Sequence, residues 1–174
     1  GRSIKDNEPL AEAVKQDFEK KDHIKIVNSG LNSLKEFGRE TLPQFSAEDL
    51  SDTVKFARKS GHKVMVHANG EKPVAAALYA GCSSIEHGFF MGLENLKLMA
   101  EKKTVWVPTA CTMKAYSGVM KPGSREYDVS RMNLDHQLEQ IAKAREFGVT
   151  IALGTDAGSA GVHHGSAVAE ELKL

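Results

Sequence analysis

The sequence predicts an α/β fold around a parallel sheet, open or closed into a barrel, and three observations carry that expectation. Short apolar runs rich in β-branched residues alternate with amphipathic segments along the chain. No hairpin pattern and no low-complexity linker joins consecutive runs, so each strand must return through a helix. The 174 residues, 41% hydrophobic and 26% charged, have the composition of a single globular domain.

The elements follow in order. Asn7 to Lys21 carries Leu10, Ala13, Val14 and Phe18 at helical spacing. His23 to Val27 reads as the first strand, and Asn28 to Phe45 as a Gly- and Pro-punctuated loop. Ser46 caps a helix that has Glu48 and Asp49 in its first turn and stops at Gly61. Lys63 to His67 is a strand, Pro73 to Ala80 a helix ended by Gly81, and Ser83 to His87 a short strand. Leu93 to Lys102 is a helix and Thr104 to Thr109 a strand, in which Trp106 is a packing residue. Met113 to Asp128 reads as a long loop. Arg131 to Phe147 is the longest helix, with Leu134, Leu138, Ile141 and Ala142 on one side. Thr150 to Thr155 is the fifth strand, and a Gly- and His-rich loop from Asp156 to Gly165 leads into a final helix.

Composition narrows the function classes. Lys+Arg and Asp+Glu are both 23, so there is no basic excess of the kind that holds a protein on nucleic acid or an anionic membrane. No apolar run is long enough to span a bilayer, and the start, Gly1 to Asp6, has no signal-peptide core. Two cysteines, Cys82 and Cys111, make no disulfide framework, and a reducing cytoplasmic location is expected.

Strands buried between helices should be apolar, so polar residues at strand ends are informative. Lys25, His67, His87 and Asp156 each lie near the C-terminal end of a strand, where α/β active sites form. Alternation puts Ile24 and Ile26 against the helices and Lys25 inward; it puts His67 inward with Met65, and Ala152, Gly154 and Asp156 inward together. It puts His87 with Ile85 and leaves Glu86 on the other face without an evident place. A buried lysine must pair with an acid such as Asp22, lose its proton or be modified. A carbamate would turn Lys25 into an oxygen ligand able to bridge two metals. Two imidazoles, a carboxylate and this lysine make a candidate hydrolytic metal centre.

These residues, in the segments His62–Ala68, Ser84–Gly88 and Leu153–Gly158, resemble the metal-dependent amidohydrolase superfamily, in its imidazolonepropionase-like and prolidase-like branch. The segment His23–Ile26 is similar to that branch's fourth strand, which carries a carboxylated lysine. The resemblance covers essentially the whole chain. It implies a partial (β/α)8 TIM barrel, strands four to eight, within one C-terminal-side unit over residues 1–174, the first three strands and a β-sandwich domain lying outside it. It implies Lys25, His67, His87 and Asp156 as ligands of one or two divalent metals, zinc by default, with Asp156 also the base and His87 at the reacting carbonyl. The family's first-strand His-x-His has no counterpart here; His163 and His164 are adjacent and follow the aspartate.

The implied reaction is hydrolysis of a C–N bond in a small amide, cyclic amide or dipeptide. The alternatives are a mononuclear, deaminase-type enzyme and a non-catalytic barrel fragment that associates with another chain. His163, His164 and Tyr116 are candidate substrate contacts; Lys114 and Arg125 lie on the same loops, and the segment Asn28 to Gln44, with Glu36, Arg39 and Glu40, is a candidate lid or a plain connector. Cys111 lies near the mouth with no activating partner evident. The exposed edges of a partial barrel predict a homo-oligomer or association with the missing barrel segment.

Overall fold

The computed structural model describes Ile4, residues 8–17 and residues 22–174. Four strands pair in parallel in chain order: β1 (His23–Val27), β2 (Lys63–Ala68), β3 (Ser84–His87) and β4 (Val105–Val107). The helices are α1 (Leu10–Asp17), α2 (Ala47–Lys59), α3 (Glu71–Ala80), α4 (Gly92–Lys102), α5 (Cys111–Val119), α6 (Arg125–Glu146) and α7 (Ser166–Leu172). Among the described residues no helix is long and apolar enough to cross a membrane.

In-register pairing sorts the strand residues into rows. Ile26, Val66, Ile85 and Trp106 form one row, extended by a bridge from Trp106 to Ile151. This row is buried with Leu50, Val54, Ala57, Val74, Leu78, Leu96 and Met99 from α2, α3 and α4. Trp106 is fully buried, as a packing residue should be. The next row, Val27, His67, Glu86 and Val107, lies on the opposite face, where Val27 is 49% exposed and His67 only 7%. Local signals set the helix ends. Ser46 and Asp49 complete a capping box at α2, and Gly81 closes α3 at φ 81, a conformation that favours glycine.

Several expectations change. The helix expected from Asn7 is seen as Leu10–Asp17; Asn7, Phe18 and residues 19–21 lie outside the described residues, as do residues 1–3 and Lys5 and Asp6 of the start. The fifth strand shrinks to the bridge at Ile151, held by Trp106 N–H to the Thr150 carbonyl at 2.9 Å and Ala152 N–H to the Trp106 carbonyl at 2.8 Å. Leu153, expected against the helices, is 49% exposed. The preceding strand stops at Val107 because Pro108 has no N–H to donate and Thr109 turns to φ +50.

The long loop expected over Met113–Asp128 is largely helical. Ser124 caps α6 by accepting from Tyr127 N–H at 3.2 Å, which starts that helix at Arg125. The buried face of α6 is also not the apolar one. Asn133, Gln137, Gln140 and Ala144 are buried, while Leu134, Leu138 and Ile141 are half-buried and Ala142 is exposed. The reason is hydrogen bonding: Gln137 donates to the carbonyls of His87 (2.6 Å) and Pro108 (3.2 Å), and Gln140 donates to that of Gly88 (3.3 Å). Carbonyls beyond strand ends would otherwise be unpaired in the interior.

Candidate functional site

His67 comes from the end of β2, on the face turned away from the helices. Strict alternation would carry His87 to the helix side with Ile85. Instead its backbone turns to φ +67, and its ring meets that of His67 edge to face, with centroids 4.6 Å apart. Glu86 therefore lies on the site face with Ser84, whose hydroxyl donates to Oε1 at 2.6 Å. That is the place the sequence left unassigned.

Both imidazoles are held from behind. His67 Nε2 lies 3.3 Å from the Gly30 carbonyl and 3.5 Å from Asn69 Nδ2. Asn69 also donates its N–H to Ser29 Oγ at 2.9 Å and accepts Phe89 N–H at 3.0 Å, joining the loops after β1 and β3. His87 Nδ1 lies 2.8 Å from Thr109 Oγ1, and its carbonyl accepts from Trp106 Nε1–H at 3.0 Å as well as from Gln137. Asn28, Ser29, Asn69, Thr109 and Gln137 were not singled out from sequence. The first four stand one or two positions beyond a strand end, and that position was the available signal.

Burial pushes the His67 imidazole below its ordinary value. Burial, and then the neighbouring His67, push His87 down to about 4. Both rings are therefore neutral at neutral pH. The charges of Lys25 and Asp156 bear on both rings, Lys25 lowering and Asp156 raising them, so the four residues share one neighbourhood.

Lys25 lies on the face opposite Ile24 and Ile26, as alternation required, but it is exposed. The penalty expected for a buried lysine does not apply, and among the described residues no acid, Asp22 included, lies within salt-bridge distance. Asp156 is exposed, stands at φ +49 and accepts from Ser159 Oγ at 3.2 Å. Among the described residues no three of His, Cys, Asp and Glu stand close enough to hold a metal ion. The two histidines nevertheless offer chemistry that suits a metal: neutral imidazoles, one with its second nitrogen hydrogen-bonded.

Of the candidate substrate contacts, His163 lines a cavity of about 250 Å³ with Cys111, Lys114, Ser166 and Glu170. Lys114 Nζ is paired with Glu170 Oε2 at 2.6 Å. His164 is exposed near Gly158, and Tyr116 is half-buried on α5 and does not line that cavity. Arg125 is the first residue of α6. The segment from Asn28 to Gln44 is tied down by Gly30 N–H to Thr41 Oγ1 (2.7 Å) and by Asn133 Nδ2–H to the Ser33 carbonyl (3.2 Å).

Cys111 is not an activated nucleophile. Burial and then the Glu171 carboxylate push its thiol up to about 12, and its Sγ–H donates to the Thr155 carbonyl at 3.4 Å. Burial and then Glu86 push Cys82 up to about 12 as well. With thiolate on the order of 10⁻⁴ of either group at pH 8, iodoacetamide is expected to leave both unmodified in the folded protein and to label both in denaturant. Intact mass reads the outcome; rapid labelling of the folded chain would contradict these environments.

Comparison with known proteins gives a consistent picture. The model of the amidohydrolase family matches residues 3–174. Ochratoxinase of Aspergillus niger is 31% identical over 140 residues, covering 79% of this chain and 29% of that protein. An uncharacterized Mycobacterium tuberculosis protein is 28% identical over 173 residues, covering 97% of this chain and 45% of its own. Among solved structures, a Xaa-Pro dipeptidase with methionine in its active site matches at 32% identity and a TM-score of 0.73, over 93% of this chain and 42% of that one. The A. niger ochratoxinase structure matches at 30% identity and a TM-score of 0.76, over 94% and 37%. The chain spans less than half the length of the curated relatives it matches.

Proposed function

The chain belongs to the amidohydrolase family, and on that premise we propose that the complete enzyme hydrolyses a C–N bond in a small amide, cyclic amide or dipeptide, using a divalent metal at His67 and His87. The pair of neutral imidazoles, His67 buried and His87 half-buried, with ring centroids 4.6 Å apart, carries this reading. The names of the relatives, an ochratoxinase and a Xaa-Pro dipeptidase, support the bond class.

His67, His87, Asp156 and a carboxylated Lys25 would hold one or two divalent metals; zinc suits nitrogen and oxygen donors. A metal bound there supplies a polarised carbonyl and a water acidic enough to ionise near neutrality. Asp156 takes the water's proton on its carboxylate and returns it to the leaving nitrogen. His87 lies beside the oxygen of the reacting carbonyl. His163 and His164 contact the substrate from the last loop, and Tyr116 from α5. The enzyme works in the cytoplasm, a reading supported by two free, buried thiols. The uncovered face bearing Lys25 and Val27 seats the rest of a barrel or a second copy.

Elemental analysis of the complete enzyme, purified without chelators, tests the ligand set. About two metals per active site are expected, and Lys25→Ala is expected to lose the bridged pair and most turnover. One metal per site with an unaffected Lys25→Ala would instead favour the mononuclear, deaminase-type reading and end the carbamate assignment.

A further inference from the structure

Five residues other than glycine take a left-handed backbone among those described: His87, Phe90, Lys103, Thr109 and Asp156. Lys103 closes α4 in the manner of a helix C-cap. Thr109 has no such excuse. It is β-branched at φ +50, ends no helix and is buried. A branched side chain there is a genuine outlier, and such strain persists only where surrounding contacts over-determine it.

Those contacts are present. The Thr109 carbonyl accepts from Thr112 Oγ1–H at 2.8 Å and Thr112 N–H at 3.2 Å. The next two amides, Ala110 N–H and Cys111 N–H, donate to the two oxygens of one carboxylate, Glu171 Oε1 at 2.9 Å and Oε2 at 2.7 Å. Before Thr109, the Pro108 carbonyl is held by Gln137. What the strained residue delivers is one atom: its Oγ1 stands 2.8 Å from His87 Nδ1.

We propose that Thr109 is a positioning residue that keeps the proton of His87 on Nδ1, leaving Nε2 free as the metal-binding nitrogen, and that Glu171 holds Thr109 in the conformation this needs. The inference rests on reading His87 as a ligand. In a neutral imidazole the nitrogen that is hydrogen-bonded away from the site decides which lone pair remains, and a hydroxyl oxygen accepts Nδ1–H without adding charge.

Three variants of the complete enzyme test it. Thr109→Val keeps the branch and removes the hydroxyl, Thr109→Ser restores the hydroxyl, and Glu171→Gln leaves one acceptor oxygen for two amides. The first readout is the ring tautomer of His87 in metal-free, ¹⁵N-histidine-labelled protein at pH 8. Nδ1–H is expected in the wild type and Thr109→Ser, Nε2–H in Thr109→Val, and a mixture in Glu171→Gln. The second readout is zinc affinity, expected to fall about 10- to 100-fold in Thr109→Val and to recover in Thr109→Ser, the scale usual for partners of metal-bound histidines. A merely structural threonine would move neither, since valine matches its shape; an unchanged tautomer in Thr109→Val overturns the inference. A shifted tautomer with unchanged zinc affinity would support the positioning role and remove His87 from the proposed ligands.

Discussion

Asp156→Asn in the complete enzyme is expected to lower kcat by about 10²- to 10⁴-fold, the range associated with a positioned proton acceptor. The substitution is well suited to the question. Residue 156 stands at φ +49, a conformation that asparagine tolerates as aspartate does, so the backbone has no reason to move. The contact from Ser159 Oγ can persist on the remaining amide oxygen. What disappears is the capacity to take a proton. Because His67 and His87 are untouched, much of the bound metal should stay, and elemental analysis of the assayed sample checks this. A kcat within about threefold of wild type would take Asp156 out of the proposed chemistry.

The largest loss of stability is expected from Trp106→Ala. The indole is fully buried in the row Ile26–Val66–Ile85–Trp106, so its removal opens a large cavity under the sheet. Phe or Trp truncation in a core costs roughly 3–5 kcal/mol. Trp106 Nε1–H also donates to the His87 carbonyl at 3.0 Å, a bond typically worth about 1 kcal/mol. Against a total of about 5–15 kcal/mol, that is much of the margin. Chemical denaturation measures it, and Trp106→Phe separates the terms by keeping most of the volume while removing the donor. A loss below about 1 kcal/mol for the alanine variant would show that this row is not the core.

The sheet and its polar face were legible because alternation is a local property. Ile24, Ile26, Val64 and Val66 announced one face, and Lys25 and His67 the other, as the register shows. Asp156 and His87 were visible as polar residues at the ends of expected strands. What stayed hidden depended on distant partners or on backbone turns. The puzzle of Glu86 and His87 is resolved by one dihedral at His87 that no pattern of residue types encodes. Helix α5 lacks a side-chain cap from its own N-terminal segment, so Met113–Val119 read as the start of a loop; its cap is Glu171, 60 residues beyond Cys111. The α6 face was misread because Gln137 and Gln140 are buried to serve carbonyls, not for their hydrophobicity.

The Glu171 carboxylate has a consequence in time as well as in space. It is made 61 and 60 residues after the amides it serves, so during synthesis the start of α5 waits, without its carboxylate cap, until α7 has emerged and docked. In the finished protein the dependence runs the other way. Undocking α7 frees the amides of Ala110 and Cys111 together and releases the strained Thr109 with them, so α5 and α7 open as one cooperative unit. Hydrogen exchange at those two amides is therefore expected to report on the attachment of α7, far along the chain from where the exchange is seen.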